Sequence, residues 1–422
     1  MFLASDAAAL VPHTKKVVYL NDGEVAEITA GAYKISNLNK AAVKRAPVVI
    51  DWNIKEAEKG GWPHFFIKEI FEQPEALRNS LRGRLLARSG RVKLGGLESV
   101  AQALGQARHL TFLGCGSAAV AGLVGKYLVE DLAELKADFE IASEYRYRNP
   151  VISRGEVVMA ISQSGETADT LAALRLAESR GALTLGLVNA VGSTMARETE
   201  AGVYNHIGPE ISVASTKAFT SQLTILMMIA LLLAEQRGVN ASRRRLVIKE
   251  LERLPKLAKE VLKTAPQIER LARKYADLKN ALFLGRRYSY PIALEGAIKL
   301  KEVTYIHAEG MPAGEPKHHS IALVDERLLS VFIAPQDSVY EKTLSSMQEI
   351  KARRGPILAL TTKGNRALEK IADDVIYLPK IYEAISPIIY AIPLQLFAYY
   401  VGVARGVNLD RPRNLAKSVT VE

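Results

Sequence analysis

Val157-Val158-Met159-Ala160-Ile161-Ser162-Gln163-Ser164-Gly165-Glu166-Thr167 decides how this chain is read. Five apolar residues in a row make a short strand buried on both faces. The polar turn after them carries Gly165 and opens a helix over Ala168–Arg180. A strand that passes through such a turn into a helix is half of a βαβ unit, and ligands in open α/β sheets bind at that end of the strands. The helix N-terminus adds free N–H groups and the positive end of its dipole. Ser162, Ser164 and Thr167 add hydroxyls and Gln163 an amide, which together make a phosphate cradle. No lysine follows Gly165, so this is not a nucleotide P-loop. An ordinary serine-rich helix cap accounts for the same residues equally well.

The pattern repeats on either side. Leu110–Leu113 runs into Gly114-Cys115-Gly116-Ser117 and a helix, and Leu183–Val188 is a further strand. In the second half, Ala281–Gly285, Leu329–Ala334 and Pro356–Leu360 mirror these strands at an offset of roughly 170 residues. That spacing is too long for a solenoid. It predicts a duplicated α/β domain, each copy a parallel sheet with helices on both faces. A charged helical stretch, Arg243–Lys279, joins the copies.

The N-terminal stretch differs. Lys16–Leu20 and Glu24–Ile28 flank Asn21-Asp22-Gly23, a hairpin signal, and Ala32–Ile35 is a third short strand. So few strands make no stable core, so residues 1 to about 50 read as part of something larger. A basic helix is expected from Phe65 to about Arg88. Met1-Phe2-Leu3-Ala4-Ser5-Asp6 lacks the basic start of a signal peptide. Ala384–Ala404 is uncharged and long enough to cross a bilayer, but it holds Ser386, Pro387, Pro393 and Gln395 and stands alone. It reads as a buried helix. Ile225–Ala234 is too short to span.

With 422 residues, 48% apolar and 24% charged, the chain is neither disordered nor a disulfide scaffold. Its one cysteine, Cys115, fits a reducing cytoplasm. The net charge of +11 favours anionic partners. Arg243-Arg244-Arg245 and Lys351-Ala352-Arg353-Arg354 lack interleaved aromatics and read as solvated helix faces, not a nucleic-acid surface.

Other residues carry possible chemistry. Val213-Ala214-Ser215-Thr216-Lys217 opens a third helix of the first half. Cys115 is a nucleophile or, more commonly, a small buried hydrophobe. Glu295, Lys299 and Glu302 share a helix face, which is a general base with its ammonium neighbour if dry. On spacing alone, a solvated salt-bridge face is the stronger reading. His318 and His319 have no metal-ligand companions at a usual spacing, and a titrating loop histidine is the economical reading. The tail Pro412–Glu422 mixes apolar and hydrogen-bonding residues, so it suits a cleft and would bring Lys417 with it. A buried lysine forms Schiff bases with carbonyls. The bland alternative is a tail packed only for stability.

Together, Gly114–Ser117, Ile141–Arg148, Ser162–Thr167 and Val213–Thr220 resemble the first sugar isomerase (SIS) domain of the glucosamine-6-phosphate synthase family. Tyr290–Ala297 through His307-Ala308-Glu309 resembles the second SIS domain, and Pro412–Glu422 the family's C-terminal tail. The resemblance implies two tandem flavodoxin-like three-layer domains plus a short N-terminal β remnant. Its expected divisions are 1–54, 55–240, 241–406 and an active-site tail 407–422. By resemblance, Ser162, Gln163, Ser164 and Thr167 match the phosphate loop. Cys115, Gly116, Ser117, Val213, Ser215 and Ala416 match sugar contacts. Glu302 matches the base that moves a proton between C1 and C2, with Lys299 beside it. His318 matches the ring-opening histidine supplied by the partner subunit of a dimer. Lys417 matches the lysine that forms a Schiff base with the open-chain keto sugar. The implied ligands are fructose 6-phosphate, glucose 6-phosphate and glucosamine 6-phosphate, with no cofactor, no metal, no nucleic acid and no membrane.

The chain departs from the family pattern at Ala118, where a serine is usual, and at Pro316, His319 and Ser320. Family members open with a glutaminase domain whose nucleophile is an N-terminal cysteine. Here Phe2 follows Met1, and residues 1 to about 50 resemble only the last strands of that domain. The expectation is a truncated chain, or ammonia supplied by another chain or free in solution. Other readings are a SIS-type sugar-phosphate sensor, which would need a DNA-binding domain where a hairpin is expected, and a deglycase acting on sugar-amine phosphates.

Overall fold

The computed structural model describes residues 1–4, 10, 13–21, 23–49 and 58–421. Ser5 and Asp6 of the N-terminal run, Asp22 of the expected hairpin turn, the division at residue 54, and Glu422 lie outside the described residues. The chain forms two compact units, Met1–Pro63 and His64–Glu422.

In the first unit, β1 (Lys16–Val17) pairs antiparallel with β5 (Val48–Val49). β2 (Glu24–Ile28), β3 (Tyr33–Asn37) and β4 (Ala42–Val43) form an antiparallel sheet in that order. The expected hairpin between Lys16–Leu20 and Glu24–Ile28 is therefore corrected. β2 turns back on β3 through residues 29–32, where Thr29 and Ala32 exchange hydrogen bonds. The Asn-Asp-Gly signal is outweighed by a local turn that already satisfies its own backbone groups.

The second unit opens with α1 (Phe65–Leu81), which buries Phe66, Ile67, Ile70 and Leu77 on one face. The helix was expected to reach Arg88. It stops at Leu81 because Gly83 takes a φ of +71°, and a small hairpin, β6 (Leu85–Leu86) with β7 (Arg91–Val92), follows. After the short α2 (Ala101–Gly105) come β8 (His109–Gly114), α3 (Ser117–Ala133), β9 (Ala137–Ile141), α4 (Ala142–Tyr147), β10 (Glu156–Ser162), α5 (Ala168–Ser179), β11 (Leu183–Val188), α6 (Thr194–Glu198), β12 (Ala201–Tyr204) and α7 (Lys217–Gln236). α8 (Ala241–Leu262) and α9 (Ala265–Lys274) lead to β13 (Asn280–Gly285), α10 (Ser289–Thr304), β14 (His307–Pro312), β15 (Leu329–Ala334), α11 (Tyr340–Lys351), β16 (Ile357–Thr362), β17 (Asp374–Leu378) and α12 (Ser386–Ala404).

The duplication is real and in register. The first sheet runs β9-β8-β10-β11-β12 and the second β14-β13-β15-β16-β17, all strands parallel. Each lobe thus has the doubly wound order in which the second strand lies outside the first. Leu110 faces Val157 in one lobe as Ala281 faces Leu329 in the other. β10, β15 and β16 are buried along their whole length, as strands with helices on both faces must be. The edge strands β9, β12, β14 and β17 were not foreseen. β9 carries Asp138 and Glu140, β14 His307 and Glu309, and β17 Asp374, so these three lack a continuous apolar run, while β12 is a four-residue Ala-Gly-Val-Tyr strand.

α12 is the uncharged segment suspected of spanning a membrane, and 83% of its most apolar window is buried against the rest of the fold. α7 extends the Ile225–Ala234 run to 20 residues, 89% of that window being buried. Both are core helices. α3 packs on α7 and α10 on α12, within one apolar core continuous through both lobes. Arg243 and Arg244, expected on a solvated face, are half-buried instead. Arg243 pairs with Asp131 of α3 and donates to the Tyr382 hydroxyl (2.7 Å), and Arg244 donates to the Ala234 and Val239 carbonyls.

Gly114 and Gly285 end the equivalent strands β8 and β13. A β-carbon on Gly114 would lie 2.8 Å from the backbone of Ala118 and Ala119, and one on Gly285 would lie 2.2 Å from the Ser289 carbonyl oxygen. The first turn of the following helix rests directly on each strand end. Gly114→Ala and Gly285→Ala are each expected to destabilise by roughly 1–3 kcal/mol in denaturant titrations. Gly95→Ala, where nothing lies within 4 Å among the described residues, should stay within about 0.5 kcal/mol of the parent.

Candidate active site

The loop from β10 to α5 is pre-set by its own side chains. Gly165 has a φ of +69° and a β-carbon there would meet the Ser193 hydroxyl at 2.2 Å. The Ser162 hydroxyl oxygen accepts the Gly165 N–H (2.9 Å) and lies 3.2 Å from the Thr167 hydroxyl. The Ser164 hydroxyl accepts the Glu166 N–H (3.2 Å). The Gln163 carbonyl accepts the N–H groups of Asn189 and Ala190, tying the loop to the end of β11. Ser164 thus uses only its acceptor side, and its O–H hydrogen remains for an incoming anion. The Ser193 and Ser418 hydroxyls are buried with no partner among the described residues. Gln163, Ser164 and Thr167 are half-buried, open enough to reach a ligand.

The second turn, Gly114–Ser117, crosses to the other lobe. Gly116 has a φ of +55°, and Ser117 at the start of α3 donates to Glu295 Oε1 of α10 at 3.0 Å. Cys115 is half-buried, with Sγ 3.6 Å from the Thr170 hydroxyl, and burial pushes its thiol up. A thiol held in its neutral form is a poor nucleophile.

Glu295, Lys299 and Glu302 do share a face of α10, but not the solvated one that spacing alone favoured. Glu295 and Lys299 are each 1% exposed. Lys299 Nζ lies 2.5 Å from Glu302 Oε2 and 3.6 Å from Glu295 Oε1. Desolvation would strip the lysine's proton, but the two carboxylates outweigh it and hold Lys299 above its ordinary range. Glu295 is pushed up to about 7, first by burial and against the pull of Lys299, and its Oε2 has no partner among the described residues. Glu302 keeps 27% of its side chain exposed and is the open member of the set.

The tail docks as expected of a cleft-filling segment. Asp410 accepts the Phe65 N–H at the start of α1 (2.8 Å), Arg413 donates its N–H to the Tyr305 hydroxyl (2.8 Å), and the Arg413 guanidinium lies 4.1 Å from that ring's centre. Lys417 pairs with Glu210, and the Val419 carbonyl accepts the Ala168 N–H that begins α5. The tail therefore reaches the start of α5 itself. Ala416 is exposed, and Val213 and Ser215 are half-buried between buried Ser212, Ala214 and Thr216.

His318 is not joined to this cluster. It sits exposed on a 3₁₀ turn, Pro316–His318, and its side chain has no partner among the described residues. His319 has a φ of −155°, so a β-carbon there needs no left-handed backbone.

Two carboxylates escaped sequence reasoning. Glu210 is buried, accepts the N–H groups of Thr216 and Ala218, and takes the Lys417 ammonium; burial opposes its charge, but Lys417 and those N–H groups hold it below the usual carboxylate range. Glu69 on α1 is 2% exposed and accepts the N–H groups of Ile211 and Ser212. Its signal was a charge on the apolar face of α1, between Phe66 and Ile70.

Fold and site together define a tandem SIS protein, and the SIS domain model matches residues 103–232 and 274–405. Glutamine–fructose-6-phosphate aminotransferases [isomerizing] from Chlorobaculum tepidum and Thermus thermophilus are 48% and 47% identical to this chain over its whole length, which covers 69% of each. A solved C-terminal domain of glucosamine-fructose-6-phosphate aminotransferase from Francisella tularensis is 35% identical, with a TM-score of 0.79 over 83% of this chain and 99% of its own. A glucosamine-6-phosphate deaminase from Thermotoga maritima, 21% identical with a TM-score of 0.65 over 84% of this chain and 99% of its own, shares the fold. The chain belongs to the isomerizing glutamine–fructose-6-phosphate aminotransferase family, and its residues correspond to the isomerase part.

Because Glu295 binds its proton more tightly folded than unfolded, it favours the native state at acid pH, and this advantage is lost as pH rises from about 4.5 to about 7. Glu295→Gln removes that dependence. Thermal melts should show the variant gaining on the parent from pH 5 to pH 8, by on the order of 3 kcal/mol at most. A constant difference in Tm across that range would contradict the assignment.

Proposed function

We propose that this chain converts fructose 6-phosphate to glucose 6-phosphate, and to glucosamine 6-phosphate when ammonia reaches the site. The observation that carries the proposal is the dry Glu295–Lys299–Glu302 set, anchored across the lobes by Ser117, with only Glu302 open. The phosphate is held by Ser162, Gln163, Ser164 and Thr167 at the start of α5. Cys115, Gly116, Ser117, Val213, Ser215 and Ala416 line the sugar. Glu302 takes a proton from C1 of the open-chain ketose and returns it to C2, or the reverse, with the Lys299 ammonium 2.5 Å from its carboxylate. The Lys417 amine adds to the C2 carbonyl and water leaves, giving a Schiff base; ammonia then replaces the lysine and frees its amine. The exposed His318 opens the sugar ring in the site of a partner subunit, so the active form is a homodimer. A soluble cytoplasmic enzyme fits the burial of both long apolar helices. Ammonia would come from a glutaminase domain or chain beyond these residues, or from solution.

A sugar-phosphate sensor or a deglycase would use the same phosphate loop. The sensor would not need Glu302, Lys299 and Lys417 in one place, and the family match favours the aminotransferase over the deglycase.

Fructose 6-phosphate should raise the Tm of the purified chain, and fructose should not. Glu302→Gln should cut glucose 6-phosphate formation about 10²-fold or more, whereas Lys417→Ala should lose amination more completely than isomerisation. Mixing Glu302→Gln with His318→Ala chains should restore activity through hybrid dimers. Persistent inactivity after proven subunit exchange would show that each site is built from one chain. Glutamate released from glutamine by this chain would contradict the division of labour.

A further inference from the structure

The carboxylate that holds Lys417 does not stand alone. Glu210 Oε1 accepts the N–H groups of Thr216 (2.8 Å) and Ala218 (3.0 Å), while its Oε2 takes the lysine. Glu69 Oε1 accepts the N–H groups of Ile211 (2.6 Å) and Ser212 (3.0 Å), immediately after Glu210 in the chain. The Thr216 hydroxyl lies 3.5 Å from Glu69 Oε2 and 3.4 Å from Glu210 Oε1, so one O–H hydrogen faces two carboxyls. Gln395 donates to the Thr216 carbonyl (3.4 Å) and Gln73 donates to Gln395 (2.8 Å), closing the site from α12 and α1.

We infer that Glu69 is a positioning residue for Lys417, acting through Glu210: it fixes the Glu210–Thr216 loop and sets how much negative charge the lysine amine faces. This rests on the Schiff-base role assigned to Lys417 above. An amine attacks a carbonyl only without its proton, and neighbouring carboxylates favour the protonated form. With Glu69 neutral the carboxyl pair carries one negative charge; with Glu69 ionised it carries two. Burial first and Glu210 second push Glu69 up to about 7, against Lys417 and Lys217, so its charge changes where an enzyme works. The other charged groups around the pair are Lys68 and Glu72 on α1, Lys217 on α7, which pairs with Glu72 at 2.8 Å, and Lys299 on α10, which Glu210 also attracts. The loop's N–H groups and the Thr216 hydroxyl face Glu69 at hydrogen-bond distance, and Lys217 and Lys417 act on it through charge.

Borohydride trapping of the full chain with fructose 6-phosphate, read by intact mass from pH 6 to pH 9, tests this. Glu69→Gln keeps the shape and is permanently neutral. Its trapping midpoint should move to lower pH by about one unit, while the KM for fructose 6-phosphate and the rate of glucose 6-phosphate formation stay within about twofold of the parent. If Glu69→Gln does not fold, Glu69→Ala carries the same test, because its cavity admits water to the Ile211 and Ser212 N–H groups. An unchanged midpoint would overturn the inference. So would loss of adduct at every pH together with lost isomerisation and a lowered Tm, since that marks a residue that only holds the fold. A parent chain that traps no adduct at any pH, while still isomerising, would instead remove the Schiff-base role of Lys417 and this inference with it.

Discussion

An ammonium group buried to 1% exposure persists only where carboxylates compensate it, and Lys299 sets that condition for the whole second unit. Its partners Glu295 and Glu302 lie one helical turn to either side on α10, and Glu295 is reached in turn by Ser117 from the other lobe. Breaking such a buried pair typically costs about 3–5 kcal/mol, because the orphaned charge stays in a dry site. The lobes must therefore close with Ser117 over Glu295. The same contact joins the start of α3 in the first lobe to the helix of the second lobe that carries the buried charges.

The duplicated lobes have divided their labour at equivalent positions. In the first, the strand β10 ends in hydroxyls that cap their own loop. In the second, β15 ends in Pro335-Gln336-Asp337-Ser338, where Asp337 accepts the Val339 N–H and Glu383 accepts both the N–H and the hydroxyl of Ser338. Carboxylates of the chain itself take up the N–H and hydroxyl groups of this second-lobe loop. The second lobe instead lends α10 and the tail. Asp410, Arg413, Lys417 and Val419 are successive anchors along that tail, the last two on the first lobe.

Much of this was legible in the residues. The central strands were readable because burial on both faces leaves an unbroken apolar run, as in Val157–Ile161 and Leu329–Ala334. The edge strands were not, because one flank meets solvent and tolerates Asp138 or Asp374. The loop from β10 to α5 stood out as four polar side chains around one glycine. The Lys16–Ile28 hairpin was misread because a strong turn signal says nothing about whether a nearer turn wins. Glu295 and Lys299 were read as solvated because i, i+4 spacing describes a helix face and not what covers it.

The sequence by itself determined the two parallel α/β lobes, their register of repetition and the chemical groups available, because strand burial, turn chemistry and side-chain type are local properties. Only the tertiary structure decided which groups act together. Whether Lys299 faces solvent or lies buried between Glu295 and Glu302 depends on how α12 and the opposing lobe pack on α10. Whether Lys417 hangs free on the tail or is held by a buried carboxylate depends on Glu210, some 200 residues earlier. Those pairings arise from long-range packing and desolvation, which no stretch of sequence carries within itself.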